Sequence, residues 1–340
     1  MIQKEATKID LPSLTIEKKD DVSQSLAFRA MVLFQVLAYG SYSVLVHLCE
    51  RGGVIMFSST TMNLVLEFIK LSFSLTSHLF NSRKSSSMDI FNYKLWFRHS
   101  LPYSIPGLLY FINNNLAVHM QLQMDPASYQ ILSNFKIVTT AILYRIIIKQ
   151  KLSRQQWFAV LLLFCGGLFY SLGAINDPAK ISKVNMRRMY IRPLGLPMIF
   201  IYCTLSGFAG VYNEWILKKY YSESLHKQNI YLYTYGTLLN LIPAVGIPLL
   251  TSKSLFKLDL FKGFSFYTWL IIATQALNGL FMSVVIKHSS NIIRLFIISF
   301  SLIVTTVLSV IVFDLTLNIY FFVSFAAMMS AVYLYYFKEV

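Results

Sequence analysis

Charged and polar side chains interrupt the apolar segments of this sequence at helical spacing, and they could bind a ligand. Lys136 follows Tyr129 by seven residues, which would place both on one helix face. Ser133 and Thr140 continue that face over about 10–16 Å, the length of a nucleotide. A charge in an apolar segment costs roughly 2.5–3.5 kcal/mol. Lys136 therefore predicts an anionic ligand or, alternatively, a structural ion pair, for which Glu214 is the candidate partner.

Two more basic residues, Lys70 and Arg294, could each either bind an anionic ligand or have a structural role. Lys70 follows Glu67 by three residues, so the two can neutralise each other, or Lys70 can bind an anion. Arg294 follows Lys287 by seven residues and lies at the start of an apolar run. Its planar guanidinium suits a phosphate, but an arginine there can also anchor the helix at the membrane interface.

Amides, tyrosines and small residues complete the set of candidates. Residues 113–115 are all asparagine, and at most two of these amides can face one cavity, where they would match a base or ribose. Hydrogen bonds between helices are the alternative. Asn229 and Tyr233 share a helix face, and the tyrosine could stack on a base. Ser206 and Gly210 favour close helix packing.

Membrane-spanning helices must position these residues. The chain of 340 residues is 56% hydrophobic and 13% charged, more apolar than one soluble core could bury. It has ten apolar segments of about 20 residues, the length that crosses a bilayer. All should be helical, because lipid offers backbone groups no partner. The segments are roughly 26–48, 54–80, 99–119, 126–148, 154–175, 193–217, 229–251, 265–286, 291–313 and 316–337.

The placement of Lys and Arg predicts that both termini are cytosolic, with residues 1–24 as a cytosolic tail. The basic linker 176–192 argues against this orientation, since it would lie on the opposite side. It leaves five spans on each side, so the halves 25–175 and 193–340 would face in opposite directions. The predicted fold class is therefore an all-α integral membrane protein with ten helices in two inverted five-helix repeats. A bundle without internal symmetry is the alternative.

Several classes of function are not expected from the sequence. Common motifs of hydrolases, P-loop enzymes and zinc proteases are missing, and the six histidines are scattered. We therefore expect no enzyme activity, no metal site and no cofactor. The net charge of +15 fits membrane topology better than nucleic-acid binding, because the basic residues lie mainly between apolar runs.

Residues 113–162 contain the pattern D-x-x-x-Y-Q-x-x-x-x-x-K-I and resemble the third to fifth spans of nucleotide-sugar transporters, in the CMP-sialic acid and UDP-galactose branch. Residues 207–219, 228–236 and 275–296 extend the resemblance, which covers most of the chain from the second span onward. The segments NNN, DPASYQILSN and SSNIIRLF are most similar to the subgroup described as probable UDP-sugar transporters.

The resemblance implies an antiporter of the drug/metabolite transporter superfamily in the Golgi or endoplasmic reticulum membrane. Such a protein exchanges a cytosolic pyrimidine nucleotide sugar, here a UDP-sugar, for a lumenal nucleoside monophosphate. Its partners would be these small molecules, membrane lipid and either a second copy or other Golgi transporters. The alternative function is a transport-inactive scaffold or regulator of Golgi glycosylation complexes.

The resemblance also implies which residues contact the nucleotide. Lys136 would bind the phosphate, and Arg294 stands where the sialic acid branch has a second phosphate-binding lysine. Lys70 matches the Glu-x-x-Lys pattern of the second span. The other implied contacts are Asn114 or Asn115, Tyr129, Ser206, Asn229 and Tyr233. Ser133 replaces a tyrosine and Tyr235 replaces a small serine of the sialic acid branch, which argues against CMP-sialic acid as the substrate.

Overall fold

Ten α-helices make up most of the computed structural model, which describes residues 25–51, 54–82, 93–121, 132, 135–149, 152–175, 193–247, 249, 259–313 and 319–336. The helices are α1 Leu26–Leu48, α2 Ser59–Ser82, α3 Tyr93–Gln121, α4 Phe135–Ile147, α5 Arg154–Ile175, α6 Gly195–Lys219, α7 Leu225–Leu241, α8 Phe266–His288, α9 Asn291–Phe313 and α10 Ile319–Tyr336. The predicted tail 1–24 and linker 176–192 lie outside the described residues.

Helix ends follow local sequence signals. Helices α1, α5 and α9 coincide with the predicted apolar segments at both ends. Helix α2 begins at Ser59 rather than at residue 54, because strand β2 (Val54–Ile55) pairs antiparallel with strand β1 (Glu50–Arg51). Helix α8 begins with a capping box between Ser265 and Thr268, which satisfies two otherwise unpaired N–H groups.

Three of the described helices are long and apolar enough to cross a bilayer on their own: Gly195–Lys219, Phe266–His288 and Asn291–Val312. Large apolar side chains also cover the outside of the molecule. Phe200 is 65% exposed, and Ile311 is 71% exposed. An exposed apolar surface of this kind suits lipid rather than water.

Helices from the two ends of the chain pack mainly against each other. Helix α2 lies against α7, and α5 lies against α10. Helix α1 packs on α8 and α9, while α6 packs on α3 and α4. A buried cluster that includes Tyr103, Ile216, Tyr231 and Val285 joins six helices: α1, α3, α6, α7, α8 and α9. The interior of the molecule therefore lies between the first five helices and the last five.

Candidate anion-binding cavity

A cavity of about 300 Å³ lies among α1, α2, α3, α6, α7, α8 and α9. This volume is at the lower end of the range for small-molecule sites. Lys70 on α2 and Arg294 on α9 are the two basic residues among the described residues that line it, and Glu67 is the one acidic residue. The charged groups of the wall therefore sum to one positive charge, which favours an anionic solute.

Lys70 is held by a carboxylate and an aromatic ring. Its Nζ lies 2.6 Å from Glu67 Oε1 and 4.4 Å from the ring centroid of Tyr233. Both neighbours attract the ammonium group and hold it in place. The ion pair predicted as one alternative for Lys70 is thus present, and Lys70 also lines the cavity.

Two glycines allow this pair to sit between helices. A Cβ on Gly279 of α8 would lie 3.0 Å from Lys70 Cδ, and a Cβ on Gly236 of α7 would lie 2.9 Å from Glu67 Oε2. Such contacts are shorter than side chains ordinarily make. Glycine at these two positions therefore lets α7 and α8 approach the charged side chains of α2.

Arg294 has a different environment. Its guanidinium lies beside the hydroxyl groups of Tyr39 and Tyr110, which are neutral acceptors. Its buried Nε has no hydrogen-bond partner, and no carboxylate pairs with it within the described ranges. Its charge is thus stabilised by neutral acceptors, which leaves it able to bind an anion.

Tyr233 is fixed by hydrogen bonds at its hydroxyl. The oxygen lies 3.1 Å from Ser283 Oγ and 3.3 Å from the Gly279 carbonyl oxygen. One face of its ring is occupied by the ammonium of Lys70. Asn114 also lines the cavity.

The other predicted site residues have different positions. Lys136, Ser206 and Asn229 are described, but they are not among the residues that line this cavity. Asn115 lies on α3, while Tyr129 and Ser133 fall outside the described residues. No contact in the described structure tests the predicted contacts of these residues with a nucleotide, so they stay predictions.

Glu214, the candidate partner for Lys136, forms an ion pair elsewhere. Its fully buried carboxylate pairs with Lys218 on the same helix and accepts a hydrogen bond of 2.7 Å from the Asn291 N–H. Lys218 Nζ donates to the Ser289 carbonyl at 2.6 Å. This network joins α6 to the turn between α8 and α9.

Sequence reasoning missed several residues of the cavity wall: Tyr39, Tyr110, Asn213, Gln275 and Asn278. A signal for two of them exists on α8. Gln275 and Asn278, together with Gly279 and Ser283, recur at helical spacing on one face of an apolar segment. The tyrosines carry no such signal, because the chain contains 21 of them.

These features define a helical membrane protein with an interior cavity. The net positive charge of the described wall residues favours an anionic solute. The family model described as "Nucleotide-sugar transporter" matches residues 24–336. The chain therefore belongs to the nucleotide-sugar transporter family, and it is a multi-pass membrane protein.

Similar proteins cover nearly the whole chain. The relative named "Probable UDP-sugar transporter protein SLC35A4" from Xenopus tropicalis is 42% identical over 90% of this chain and 91% of its own. The protein of the same name from Danio rerio is 37% identical, covering 94% and 98%. That from Homo sapiens is 35% identical, covering 90% and 93%. One crystal structure superposes with a TM-score of 0.64 over 92% of this chain and 98% of that chain at 10% identity, a likeness of fold alone.

Proposed function

We propose that the protein carries a pyrimidine nucleotide sugar, a UDP-sugar, across the Golgi membrane in exchange for a nucleoside monophosphate. The observation that carries the proposal is that Lys70 and Arg294 line one interior cavity. The names of the relatives point to the UDP-sugar. The proposed protein moves its ligand without chemical change, so it is not an enzyme.

Charge balance explains why the two cations suit this ligand. A nucleotide sugar carries about two negative charges at phosphate, as does a nucleoside monophosphate near neutral pH. Glu67 already pairs with Lys70, whereas the described neighbours of Arg294 include the hydroxyl groups of Tyr39 and Tyr110 but no paired carboxylate. A bound phosphate would compensate Arg294 and compete with Glu67 for Lys70. Lys136, which is not among the described residues that line this cavity, remains a predicted phosphate ligand.

The same charges favour exchange over net transport. Without ligand, the cavity wall retains one uncompensated positive charge, and such a charge is unfavourable within a bilayer. Return of the empty carrier would therefore be slow. The two negative charges of a nucleotide exceed this single positive charge, so the gain on binding comes from pairing Arg294 with an anion and not from neutrality of the cavity. A nucleotide bound from either side provides that partner, so the loaded carrier crosses more readily.

Two matching hydrogen bonds support the proposal that residues 25–175 and 193–340 are inverted repeats. Thr139 on α4 donates to the Cys203 carbonyl of α6 at 3.0 Å, and Thr305 on α9 donates to the Gly40 carbonyl of α1 at 2.8 Å. Both threonines follow the residues Ile-Val in the sequence. If α1 is exchanged with α6, and α4 with α9, the first hydrogen bond takes the place of the second. Inverted halves would let the protein open to each side of the membrane in turn.

Reconstituted vesicles test the proposed exchange. The full chain in liposomes should take up labelled UDP-glucose or UDP-galactose at least tenfold faster when UMP is trapped inside. Empty vesicles and vesicles with trapped AMP are the controls. Equal uptake into all three would refute exchange.

A transport-inactive scaffold or regulator remains the second candidate function. It has no need of a cavity with an uncompensated cation, and this argues against it. Direct binding of UMP to the purified protein separates the two, because a scaffold need not bind nucleotide. The Golgi location and cytosolic termini belong to the same proposal. A tag at either end of the chain should be accessible to protease in sealed Golgi vesicles.

A further inference from the structure

Two asparagines that line the cavity each carry a buried amide oxygen that has no hydrogen-bond partner among the described residues. Asn213 on α6 is 4% exposed and Asn278 on α8 is 2% exposed, and both line the cavity. Their Oδ1 atoms accept no hydrogen bond in the part of the chain that the structure describes. Buried acceptors are almost always satisfied. These two oxygens therefore need hydrogen-bond donors that the described residues do not supply.

The orientation of the Asn278 amide follows from its neighbours. Gln275 Nε2 lies 3.0 Å from the Ala38 carbonyl oxygen, which can only accept, so this end of the glutamine must be the NH₂ group. Gln275 Oε1 is therefore an acceptor, and Asn278 Nδ2 donates to it at 3.2 Å. Asn278 is left with Oδ1, an atom that accepts hydrogen bonds and cannot donate them.

The two asparagines line the same cavity as Lys70 and Arg294. Asn278 immediately precedes Gly279, whose hydrogen face is packed against Lys70. Asn213 lines the same cavity as Arg294. In a nucleotide sugar, the groups on both sides of the phosphates, the ribose and the sugar, carry hydroxyl donors. A phosphate held by the two cations would bring such hydroxyls next to the amides.

We propose that Asn213 and Asn278 accept hydrogen bonds from ligand hydroxyl groups that flank the phosphate, and so favour a ligand with an uncharged, hydroxyl-rich portion. This inference rests on the proposed function. It adds two specificity-determining residues from α6 and α8 to the cations of α2 and α9. An apolar or carboxylate-bearing group at the same place would leave the amide oxygens unsatisfied or repelled.

Binding to the purified full chain tests the inference. The affinities of UMP and UDP-glucose would be measured by calorimetry for Asn213→Leu, Asn278→Leu and the unaltered protein. Loss of one neutral hydrogen bond predicts affinity for UDP-glucose lower by roughly 3- to 10-fold in each variant. Asn113→Leu is the matched control. It removes a buried amide whose Oδ1 also lacks a partner, yet Asn113 is not among the described residues that line the cavity, so affinity should stay within twofold.

Comparison of UMP with UDP-glucose shows whether the ribose or the sugar carries the hydroxyl group that the asparagines bind. A loss for UDP-glucose alone assigns it to the sugar, and an equal loss for UMP assigns it to the ribose. Both outcomes support the inference. Unchanged affinity for both ligands in both variants overturns it, as does an equal loss in Asn113→Leu, because the effect would then come from the fold. Failure of the unaltered protein to bind either nucleotide would overturn the proposed function itself.

Discussion

Replacement of Glu67 should tighten nucleotide binding, whereas replacement of Lys70 should weaken it. The two side chains form an ion pair of 2.6 Å whose members are 19% and 10% exposed. If a phosphate and Glu67 compete for Lys70, then Glu67→Gln removes the competitor and keeps the shape of the side chain. Lys70→Gln removes the ligand contact and leaves the Glu67 carboxylate unpaired beside the phosphate.

The size of the effect follows from the partial burial of the pair. Unit charges about 4 Å apart attract by about 4 kcal/mol at an effective dielectric constant near 20. Desolvation and the residual amide contact reduce the net gain from removing Glu67 to about 0.5–2 kcal/mol, or roughly 2- to 30-fold tighter binding of UMP. The lost charge-assisted hydrogen bond in Lys70→Gln predicts affinity lower by about 10- to 150-fold.

Calorimetry with UMP on both variants and on the double variant measures these effects. The double variant should bind less weakly than Lys70→Gln, because it no longer has an unpaired carboxylate next to the phosphate. Equal weakening in Glu67→Gln and Lys70→Gln would refute the reasoning, since the pair would then serve only to hold the fold.

Three further predictions concern the cavity and the helix contacts around it. Arg294→Gln should lower UMP affinity at least tenfold, whereas Lys219→Gln, at an exposed cation outside the cavity, should change it less than twofold in the same calorimetric assay. Gly40→Ala should destabilise the protein by about 1–3 kcal/mol in thermal unfolding, because its Cβ would lie 2.5 Å from a side chain of α9. Gly246→Ala, with open space around the new methyl group, should not lower the unfolding temperature. Glu214→Gln breaks a buried ion pair and should lower stability by about 3 kcal/mol, measured in the same way, with less effect on UMP affinity than Arg294→Gln.

Hydropathy predicted the helices because lipid imposes a fixed length on apolar segments. It placed both ends of α1, α5 and α9 correctly. It extended the second segment back to residue 54, since Val54 and Ile55 are apolar but pair as a strand. The pairing partner, Glu50–Arg51, lies between the first two predicted segments, so the hydropathy of the second segment does not reveal the strand.

Charges in apolar segments were the most informative sequence signal for the site. They identified Lys70 and Arg294, which line the cavity, because such residues are rare in membrane helices. The same signal selected Lys136, which is not among the described cavity residues. Helical spacing tells which residues share a face, but it does not tell which neighbouring helix that face meets. The partners of Arg294, Tyr39 and Tyr110, depend on that packing.

Lys70 and Arg294, the two basic residues among the described cavity residues, belong to opposite halves of the chain. Lys70 on α2 is paired within its own helix, whereas Arg294 on α9 depends on tyrosines of α1 and α3. A phosphate bound by both would form an electrostatic link between the first five helices and the last five. The link would exist only in the loaded state, so closure of the halves around the ligand would be favoured over closure without it.

A double-mutant cycle tests this link. If one phosphate contacts both cations, the effects of Lys70→Gln and Arg294→Gln on UMP affinity should not add, and the coupling should be about 0.5–3 kcal/mol, as for residues that share a partner. The same cycle with Lys219→Gln in place of Arg294→Gln should give additive effects. Additivity of the Lys70 and Arg294 variants within about 0.3 kcal/mol would mean that the two cations act on separate groups, and the ligand could not then join the halves through its phosphate.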